Sequence, residues 1–328
     1  MKKPKLQTIN INDIDFEDKS YVFTFEPLIS DMVHSIQAVG LINPPWLEKR
    51  SDGKFRIVSG FKRIIALKHL SQKKFSALVH SAGDDKINEE LFLVNLHDNI
   101  ATREINVIEK ALILRKLIFD LKINKKRVIN DYLPLLGFGK NPEILKRYLP
   151  LAELPDYLKA ALLDDTISIE TANLLAELPE TESAEIFSIF QNLKLGRNRQ
   201  KELLRLLQEI QHVSSHSPLE ILGAREIQQI LENEKLTPPI KTQRLITEIK
   251  KIRYPFFSKI EQKFLDLKKG LKLPPSIRII PPPYFEGKKF TIEFTFSSQK
   301  EFNQAISLLN KLKSENKIKP LEKLTKND

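Results

Sequence analysis

A glycine followed by two basic residues stands where a predicted strand meets a predicted helix. Residues 60–66 read GFKRIIA, directly after an apolar run that ends at Val58. The first turn of a helix exposes unpaired N–H groups and the positive end of the helix dipole, so anions bind well there. Gly60 would let a ligand approach the backbone, and Lys62 and Arg63 would donate to phosphate oxygens. The second glycine and the Lys-Ser/Thr pair of a Walker A loop are absent. A phosphate site and a turn glycine before two solvated basic residues both remain open.

A second group of polar residues follows the next predicted helix. Residues 98–109 read DNIATREINVIE and bring Asp98, Asn99 and Arg103 together in the chain. A carboxylate and an amide beside an arginine can hold a magnesium ion and a phosphate. A polar loop in which Asn106 caps the following helix is the alternative interpretation.

The segment that carries both groups, residues 1–115, has the pattern of an α/β fold. Short apolar runs bounded by turn residues predict strands, and apolar residues at helical spacing predict helices. Gly40 would end the first helix, as glycines after helices commonly do. The predicted strands cover residues 6–11, 46–49, 55–58 and 76–80, and the predicted helices cover residues 28–39, 61–70 and 88–97.

Residues 105–211 have a helical pattern throughout, which predicts a compact all-α domain. Within it, residues 125–136, a turn at 137–140 and residues 142–149 predict a helix-turn-helix. Asn141 would cap the second helix, and Pro142 would occupy its first position.

The last third mixes helices with two short strands. Helices are predicted at residues 224–234 and 240–271, with Pro255 interrupting the second, after a polar linker at 212–217. Alternating residues predict a strand at 289–297, beside β character at 276–280, and Ser298 would cap a final helix to about residue 316. So small a unit buries little apolar surface alone, so it would pack on the preceding helices or on a second copy of itself.

Composition excludes several classes of function. The chain has 328 residues and no cysteine, which predicts two or three domains and excludes disulfides, thiolate nucleophiles and cysteine zinc sites. The six histidines show no metal-ligand spacing. No signal-peptide pattern and no apolar run of membrane-spanning length occurs, so a cytoplasmic protein without a membrane partner is expected.

The positive charge is concentrated in the last third. Residues 213–328 hold 22 basic and 13 acidic side chains, which is +9 of the formal net charge of +11. Such a balance favours polyanionic partners, although a solvated lysine-rich surface would have the same composition.

Three segments, in this order and at this spacing, resemble the successive motifs of ParB-type proteins. They are residues 40–44 (GLINP), 58–66 (VSGFKRIIA) and 98–109. In the family these read Gly-Leu-x-Gln-Pro, Gly-Glu-Arg-Arg-x-x-Ala, and Glu-Asn-x-x-Arg followed by Leu-Asn-Pro-Ile-Glu. The resemblance implies a ParB/sulfiredoxin-like N-terminal domain that binds CTP with Mg²⁺. Sulfiredoxin chemistry needs a cysteine and is excluded.

The resemblance also implies a set of binding residues. Asp98 and Asn99 would lie near Mg²⁺. The residues implied to bind the nucleotide are Gly40, Ile42, Pro44, Gly60, Lys62, Arg63, Asn99 and Arg103. Four positions depart from the motifs: Phe61 replaces a glutamate, Lys62 an arginine, Asp98 a glutamate, and Thr102 an arginine, with Arg103 one place later. These departures predict slow hydrolysis of CTP at most.

DNA contacts are expected on the predicted helix-turn-helix and on a later helix. Lys140, Lys146 and Arg147 belong to the former, although Glu143 is unfavourable near phosphates. A second candidate set is Arg197, Arg199 and Lys201. A helical hairpin with ordinary surface charges is the alternative.

These observations predict an α+β multi-domain protein. Its parts would be a ParB/sulfiredoxin-like α/β domain (1–104), an all-α helix-turn-helix domain (105–212) and a small, basic α+β C-terminal region (213–328). The expected function is CTP-responsive binding of double-stranded DNA in chromosome or plasmid partition, as a nucleoid-associated homodimer with a partition ATPase as partner. A phosphotransferase or nuclease of the same fold, and a degenerate adaptor without nucleotide binding, are the alternatives.

Overall fold

The computed structural model describes residues 3–81, 87–287 and 289–324. The chain divides into two units, Met1–Glu180 and Thr181–Asp328. The predicted α+β class is confirmed, because a mixed sheet lies near the N-terminus, helices follow, and a two-stranded sheet lies near the C-terminus. The domain boundaries at 104/105 and 212/213 stay predictions. Within the described residues, no helix is both long enough and apolar enough to span a membrane.

A four-stranded sheet organises the start of the first unit. Its strands are β1 (Lys5–Asn10), β2 (Trp46–Lys49), β3 (Phe55–Ser59) and β4 (Lys74–Ser81), in the order β1-β4-β2-β3. The β2–β4 pair is parallel, and the other two pairs are antiparallel. On β4, the buried side chains of Phe75, Ala77 and Val79 alternate with more exposed ones, as expected for a strand with one face on a core.

Helices make up the rest of the first unit. They are α1 (Ser30–Val39), α2 (Phe61–His69), α3 (Glu89–Thr102), α4 (Val107–Arg115), α5 (Lys125–Arg127), α6 (Leu133–Leu135), α7 (Glu143–Ala152), α8 (Asp156–Leu163) and α9 (Ile169–Ala176). A 3₁₀ turn (Ile11–Asp13) follows β1, a π-helical turn (Lys116–Asp120) continues α4, and another (Val128–Tyr132) joins α5 to α6.

Among the described residues, two hydrophobic cores connect the sheet to the helices around it. One lies between the sheet and helices α1 and α2. The other contains Tyr21, Phe23 and Val58 from the first hundred residues, together with Leu114 and Leu145 from the helical part. Because these side chains share one core, the α/β part and the helices that follow it pack as a single body. Helix α4 packs against α7 and α8.

Polar side chains cap the N-terminal ends of helices α4 and α7. The Asn106 side chain accepts from the Glu109 N–H at 2.9 Å, and Glu109 Oε2 accepts from the Asn106 N–H at 3.2 Å, which forms a capping box at α4. At α7 the Asn141 side chain accepts from the Glu143 N–H at 3.0 Å, beside Pro142. Residues 125–135 and α7 therefore form the two helical segments expected around the 136–142 turn.

The second unit contains eight helices among its described residues. They are α10 (Glu180–Asn192), α11 (Arg197–Ser214), α12 (Pro218–Leu222), α13 (Arg225–Leu231), α14 (Pro238–Arg253), α15 (Pro255–Gly270), α16 (Gln299–Ser314) and α17 (Lys319–Glu322). The break between α14 and α15 falls at Pro255, as predicted. Ser298 caps α16 by accepting from the Glu301 N–H at 3.2 Å.

Two segments of this unit, the strand predicted at 289–297 and the linker predicted at 212–217, are shorter in the structure than the sequence predicts. The antiparallel pair β5 (Ile277–Ile280) and β6 (Thr291–Phe294) contains only four residues of the strand predicted at 289–297. Beyond Phe294 one further backbone hydrogen bond follows, from the Thr295 N–H to the Ser276 carbonyl at 3.0 Å, and Phe296 is 54% exposed. The predicted linker at 212–217 also shrinks, since α11 extends to Ser214 and Ser217 already caps α12.

Candidate functional site

Gly60 joins β3 to α2 in a conformation that only glycine adopts easily. Its φ is +87°, in the left-handed region. A Cβ atom at this position would lie 2.8 Å from Pro45 Cβ and 2.9 Å from Arg63 Nε. The chain therefore turns tightly into α2, and the Arg63 side chain passes directly over the turn.

Arg63 ties three segments together. Its Nη1 donates to the Asn43 carbonyl at 2.9 Å, and its Nη2 donates to Asp98 Oδ2 at 3.1 Å. Ser59 Oγ donates to the same Asp98 oxygen. The loop at 40–44, the start of α2 and the last turns of α3 thus meet at one guanidinium group, whose side chain is 18% exposed.

The end of α3 holds a second arginine. Arg103 Nε donates to Asn99 Oδ1 at 2.8 Å, and its Nη1 donates to Glu109 Oε2 at 2.5 Å. Its Nη2 is buried without a hydrogen-bond partner in the described part of the chain. A buried, unsatisfied donor of this kind is rare in folded proteins and calls for a ligand or a water molecule.

All of the sequence-predicted nucleotide and metal residues line two adjoining cavities. Those lining a cavity of about 120 Å³ are Gly60, Lys62, Arg63, Asp98, Asn99 and Arg103. Those lining a second cavity of about 610 Å³ are Gly40, Ile42 and Pro44. The two cavities share Arg63 and Asp98, and we refer to them as the Arg63 cavities.

The smaller cavity is predominantly cationic. Its charged lining residues are Lys62, Arg63 and Arg103 against the single carboxylate Asp98. Within the described residues Lys62 forms neither a hydrogen bond nor an ion pair, so its ammonium group is available. Phe61, at the place of the motif glutamate, is half-buried and packs against the sheet core. It therefore contributes packing where the family has a charge.

A buried polar network holds the wall of the smaller cavity. Arg56 donates to Asp18 at 2.6 Å and to Glu48 at 3.1 Å, and Tyr21 donates to Glu48 at 3.1 Å. Burial raises the pKa of Glu48, and burial raises the pKa of Tyr21 to about 12. The network fixes the segment that supplies Val22 to the cavity.

Sequence reasoning missed this network, as it missed Ser59 and Asn43. A signal was present, because Glu48 and Arg56 are charged residues within otherwise apolar strand segments and stand opposite each other in the β2–β3 register. Opposite charges at such positions indicate a cross-strand pair.

The oxygen atoms near Arg63 could contribute to a magnesium site but could not form one alone. Asp98 and Asn99 offer a carboxylate and an amide oxygen, which are ligand types that Mg²⁺ accepts. Asp98 is already paired with Arg63, and Asn99 Oδ1 accepts from Arg103. Among the described residues no group of three His, Cys, Asp or Glu side chains is arranged to hold a metal. The set fits Mg²⁺ only if phosphate oxygens and water complete the coordination.

The predicted DNA-contact residues lie on two separate units. In the first, Lys140 and Arg147 are exposed, and Lys146, 76% exposed, pairs with Glu143 at 2.7 Å. In the second, at the start of α11, Arg197 and Arg199 are exposed and Lys201 is half-buried, with Arg199 Nη1 2.5 Å from Glu202. Glu143 therefore partly neutralises the surface of α7.

A larger cavity lies in the second unit, and none of the predicted site residues lines it. Its volume is about 830 Å³, and its lining is mostly apolar, with Tyr254, Phe256, Phe257 and Phe285 among its residues. Size alone would favour this cavity. The convergence of cations and an unpaired donor favours the Arg63 cavities as the functional site.

Comparison with known proteins finds a family match over the N-terminal part of the chain. Residues 1–96 match the ParB N-terminal domain, so the Gly60 turn and most of α3 fall within that domain. The chain is 28% identical over 174 residues to the nucleoid occlusion protein of Oceanobacillus iheyensis, covering 53% of this chain and 57% of that relative. The chain thus spans little more than half the length of this curated relative. Over the matched residues the chain is similar to ParB-type proteins.

Solved structures of ParB are also similar to the chain. The C-terminally truncated chromosome-partitioning protein ParB from Caulobacter crescentus, complexed to the centromeric parS site, aligns with a TM-score of 0.33 and 14% identity, over 61% of this chain and 98% of that one. The same truncated protein complexed with CTP-γ-S aligns with a TM-score of 0.26 and 18% identity, over 54% of this chain and 94% of that one.

Proposed function

We propose that this chain binds duplex DNA and responds to a nucleoside triphosphate, CTP with Mg²⁺, held in the Arg63 cavities. One observation carries the proposal: the smaller cavity gathers three cationic side chains around the start of a helix and leaves Arg103 Nη2 buried and unpaired. An anion with several oxygen atoms would satisfy that donor and the ammonium group of Lys62 together.

The triphosphate would lie against the first turn of α2. Ile64 is the first residue of this helix whose N–H is bonded to a preceding carbonyl, that of Gly60 at 3.1 Å, so the earlier N–H groups remain for a ligand. The positive end of the helix dipole and the positive side chains would both attract the phosphates there. The base and sugar would occupy the larger cavity beside Gly40, Ile42 and Pro44, whose volume of about 610 Å³ is typical of small-molecule sites.

Magnesium would be held by Asp98 and Asn99 together with the phosphates. When bound, it would neutralise phosphate charge. Asp98 would then exchange part of its pairing with Arg63 for the metal, and Arg63 would turn its freed donors to the phosphates. Because Asp98 is the single carboxylate lining the described cavity and is already engaged, we expect hydrolysis to be slow at most.

DNA would be bound by the helix-turn-helix segment, with α7 in the major groove. Lys140, Lys146 and Arg147 would contact phosphates, and Glu143 would release Lys146 as phosphates approach. Arg197, Arg199 and Lys201 would add a second set of contacts, and the +9 charge of residues 213–328 would add sequence-independent attraction.

The biological role we propose follows the name of the curated relatives. They are nucleoid occlusion proteins, so a role in nucleoid occlusion or in chromosome or plasmid partition, in association with the nucleoid, fits this chain. A homodimer is supported by the exposed apolar side chains of Ile280, Ile292 and Phe296 at the two-stranded sheet, which a second copy would cover. A partition ATPase would be the further partner.

Duplex binding with and without CTP and Mg²⁺, at two salt concentrations, tests this function. We expect CTP to change the DNA dissociation constant at least about fivefold, and higher salt to weaken binding steeply. Arg63→Ala should remove the CTP effect, and Lys146→Ala with Arg147→Ala should weaken DNA binding while CTP binding persists. DNA affinity that is the same with and without CTP would contradict the proposal.

A further inference from the structure

Helix α3 reaches from the Arg63 cavities to the helix-turn-helix segment. Asp98 and Asn99 lie on its last turns, and Arg103 is its C-terminal cap. Glu89 is its first residue, nine positions before Asp98, which corresponds to about 14 Å along a regular helix. The buried side chains of Leu91 and Phe92 anchor the helix between these ends. A displacement at the cavity end is therefore carried along a rigid element.

The far end of α3 holds the first helical segment of the helix-turn-helix by three hydrogen bonds. Arg127 Nη1 donates to Glu89 Oε2 at 3.0 Å, and Arg127 Nη2 donates to Glu89 Oε1 at 2.5 Å. Tyr132 donates its hydroxyl proton to Glu89 Oε1 at 2.5 Å. The guanidinium fork and the hydroxyl together fix the direction of the carboxylate, which a single contact would not do.

The titration properties of the cluster agree with this geometry. Burial would raise the pKa of Glu89, but hydrogen bonds from Tyr132 and Arg127 outweigh it and hold that pKa below its usual range. Burial, and then the bond to the Glu89 carboxylate, raise the pKa of Tyr132. Both shifts mean that the cluster is held in its charged, hydrogen-bonded form at neutral pH.

The helical part is also attached at the cavity end of α3. Arg103 contacts Glu109, which belongs to the capping box of α4, and it also carries the unpaired Nη2. Only three residues separate the end of α3 from the Asn106 cap. An anion that engages Arg103 acts on both α3 and α4. At its other end α3 shares a hydrophobic core with residues 128–136, and the Glu89 cluster adds the directional polar contact there.

The ion pair between Glu89 and Arg127 contributes little to the stability of the fold, because both side chains are partly exposed to solvent. The Arg127 side chain is 51% exposed and that of Glu89 is 31% exposed, and ion pairs in such positions stabilise a fold weakly. The π-helical turn Val128–Tyr132, which brings Tyr132 to Glu89, is a rare local geometry that is frequent at functional positions. A positioning role explains both features better than a role in stability.

We propose that Glu89, Arg127 and Tyr132 form a positioning latch that transmits occupancy of the Arg63 cavities, through α3, to the helix-turn-helix segment. This inference rests on the proposed nucleotide response. It assigns the transmission to three residues that touch neither the nucleotide nor the DNA.

Hydrogen exchange of residues 125–136 in the full chain, with and without CTP and Mg²⁺, tests the latch. In the wild-type protein, CTP should change amide exchange in this segment at least about fivefold, the lower end of typical coupling strengths. Glu89→Gln should abolish that change while CTP affinity by calorimetry and the unfolding midpoint stay close to wild type, since the pair is half-exposed. Arg127→Lys keeps the charge but loses the fork, so the change should be intermediate.

Asp156→Asn is the matched control, because it removes a different ion pair of the same unit, in which the exposed Asp156 carboxylate lies 3.3 Å from Lys159. It should leave the CTP effect on residues 125–136 intact. If Glu89→Gln retains the effect, or if the wild-type protein binds CTP without any change in this segment, the latch is refuted while nucleotide binding stands. If CTP does not bind at all, the proposed function fails and the latch fails with it.

Discussion

Replacing Gly60 with alanine is the sharpest test of how the cationic cavity is built. A non-glycine residue in the left-handed region costs about 1–2 kcal/mol. The new methyl group would also lie 2.8 Å from Pro45 Cβ, and a proline ring cannot rotate away, so an overpacking cost of about 1–3 kcal/mol is added. The free energy of unfolding should therefore fall by about 2–5 kcal/mol.

The same methyl group would displace Arg63, because Nε and Cζ of that side chain lie 2.9 Å and 3.0 Å from its position. The contact between Arg63 and Asp98 would be lost or strained, so CTP affinity should fall at least about tenfold, which corresponds to about 1.4 kcal/mol. Denaturant unfolding measures the first effect, and calorimetry below the unfolding midpoint measures the second.

Gly53→Ala separates strain from contact. Gly53 also has a left-handed φ, of +84°, but a Cβ there would meet nothing within 4 Å. It should therefore lose only the conformational part, about 1–2 kcal/mol, and bind CTP normally. Equal losses of stability in the two variants, or normal CTP binding by Gly60→Ala, would refute the reasoning.

Three further predictions concern the framework around the cavities. Glu48→Gln should lower the free energy of unfolding by about 2–3 kcal/mol in urea titrations, because Arg56 would lose one of its buried partners; an unchanged midpoint would contradict the network. Asn106→Ala should cost about 1 kcal/mol by the loss of the α4 cap, measured in the same way, and a neutral effect would show that the cap is dispensable. Burial would raise the pKa of Asp18, but hydrogen bonds from Ser20 and Arg56 lower it, so its contribution to stability is present at neutral pH and is lost on acidification between about pH 5 and about pH 2. Asp18→Asn should flatten that part of the stability curve, and a curve parallel to wild type would refute this assignment.

The motif residues were predictable because their spacing reflects local geometry. A glycine between a strand and a helix start, followed by two basic residues, already implies the left-handed turn and the cationic first turn seen at Gly60. The start of α3 and the cap at Asn106 follow from equally local rules, whereas α3 continues to Thr102, five residues beyond its predicted end at residue 97. In these places neighbouring residues in the chain determine the structure, so the sequence is sufficient.

The rest depended on contacts between distant segments. The hydrogen bonds from Arg63 to the Asn43 carbonyl and from Arg56 to Asp18 join residues 20 and 38 positions apart, whose pairing no local pattern reveals. The strand predicted at 289–297 was too long for a similar reason, since its partner β5 is only four residues long. Arg103 reaches the cavity although Thr102 occupies the aligned motif position, because α3 ends there in an extended cap that redirects the side chain.

Calorimetric titration of CTP with Mg²⁺ into the full chain, beside Arg63→Ala, is the most direct test that the cationic cavity is a nucleotide site. At a temperature where both proteins are folded, we predict saturable binding to the wild-type protein and at least about a tenfold weaker association for the variant. Equal binding by both proteins, or none by either, would contradict the assignment of these cavities.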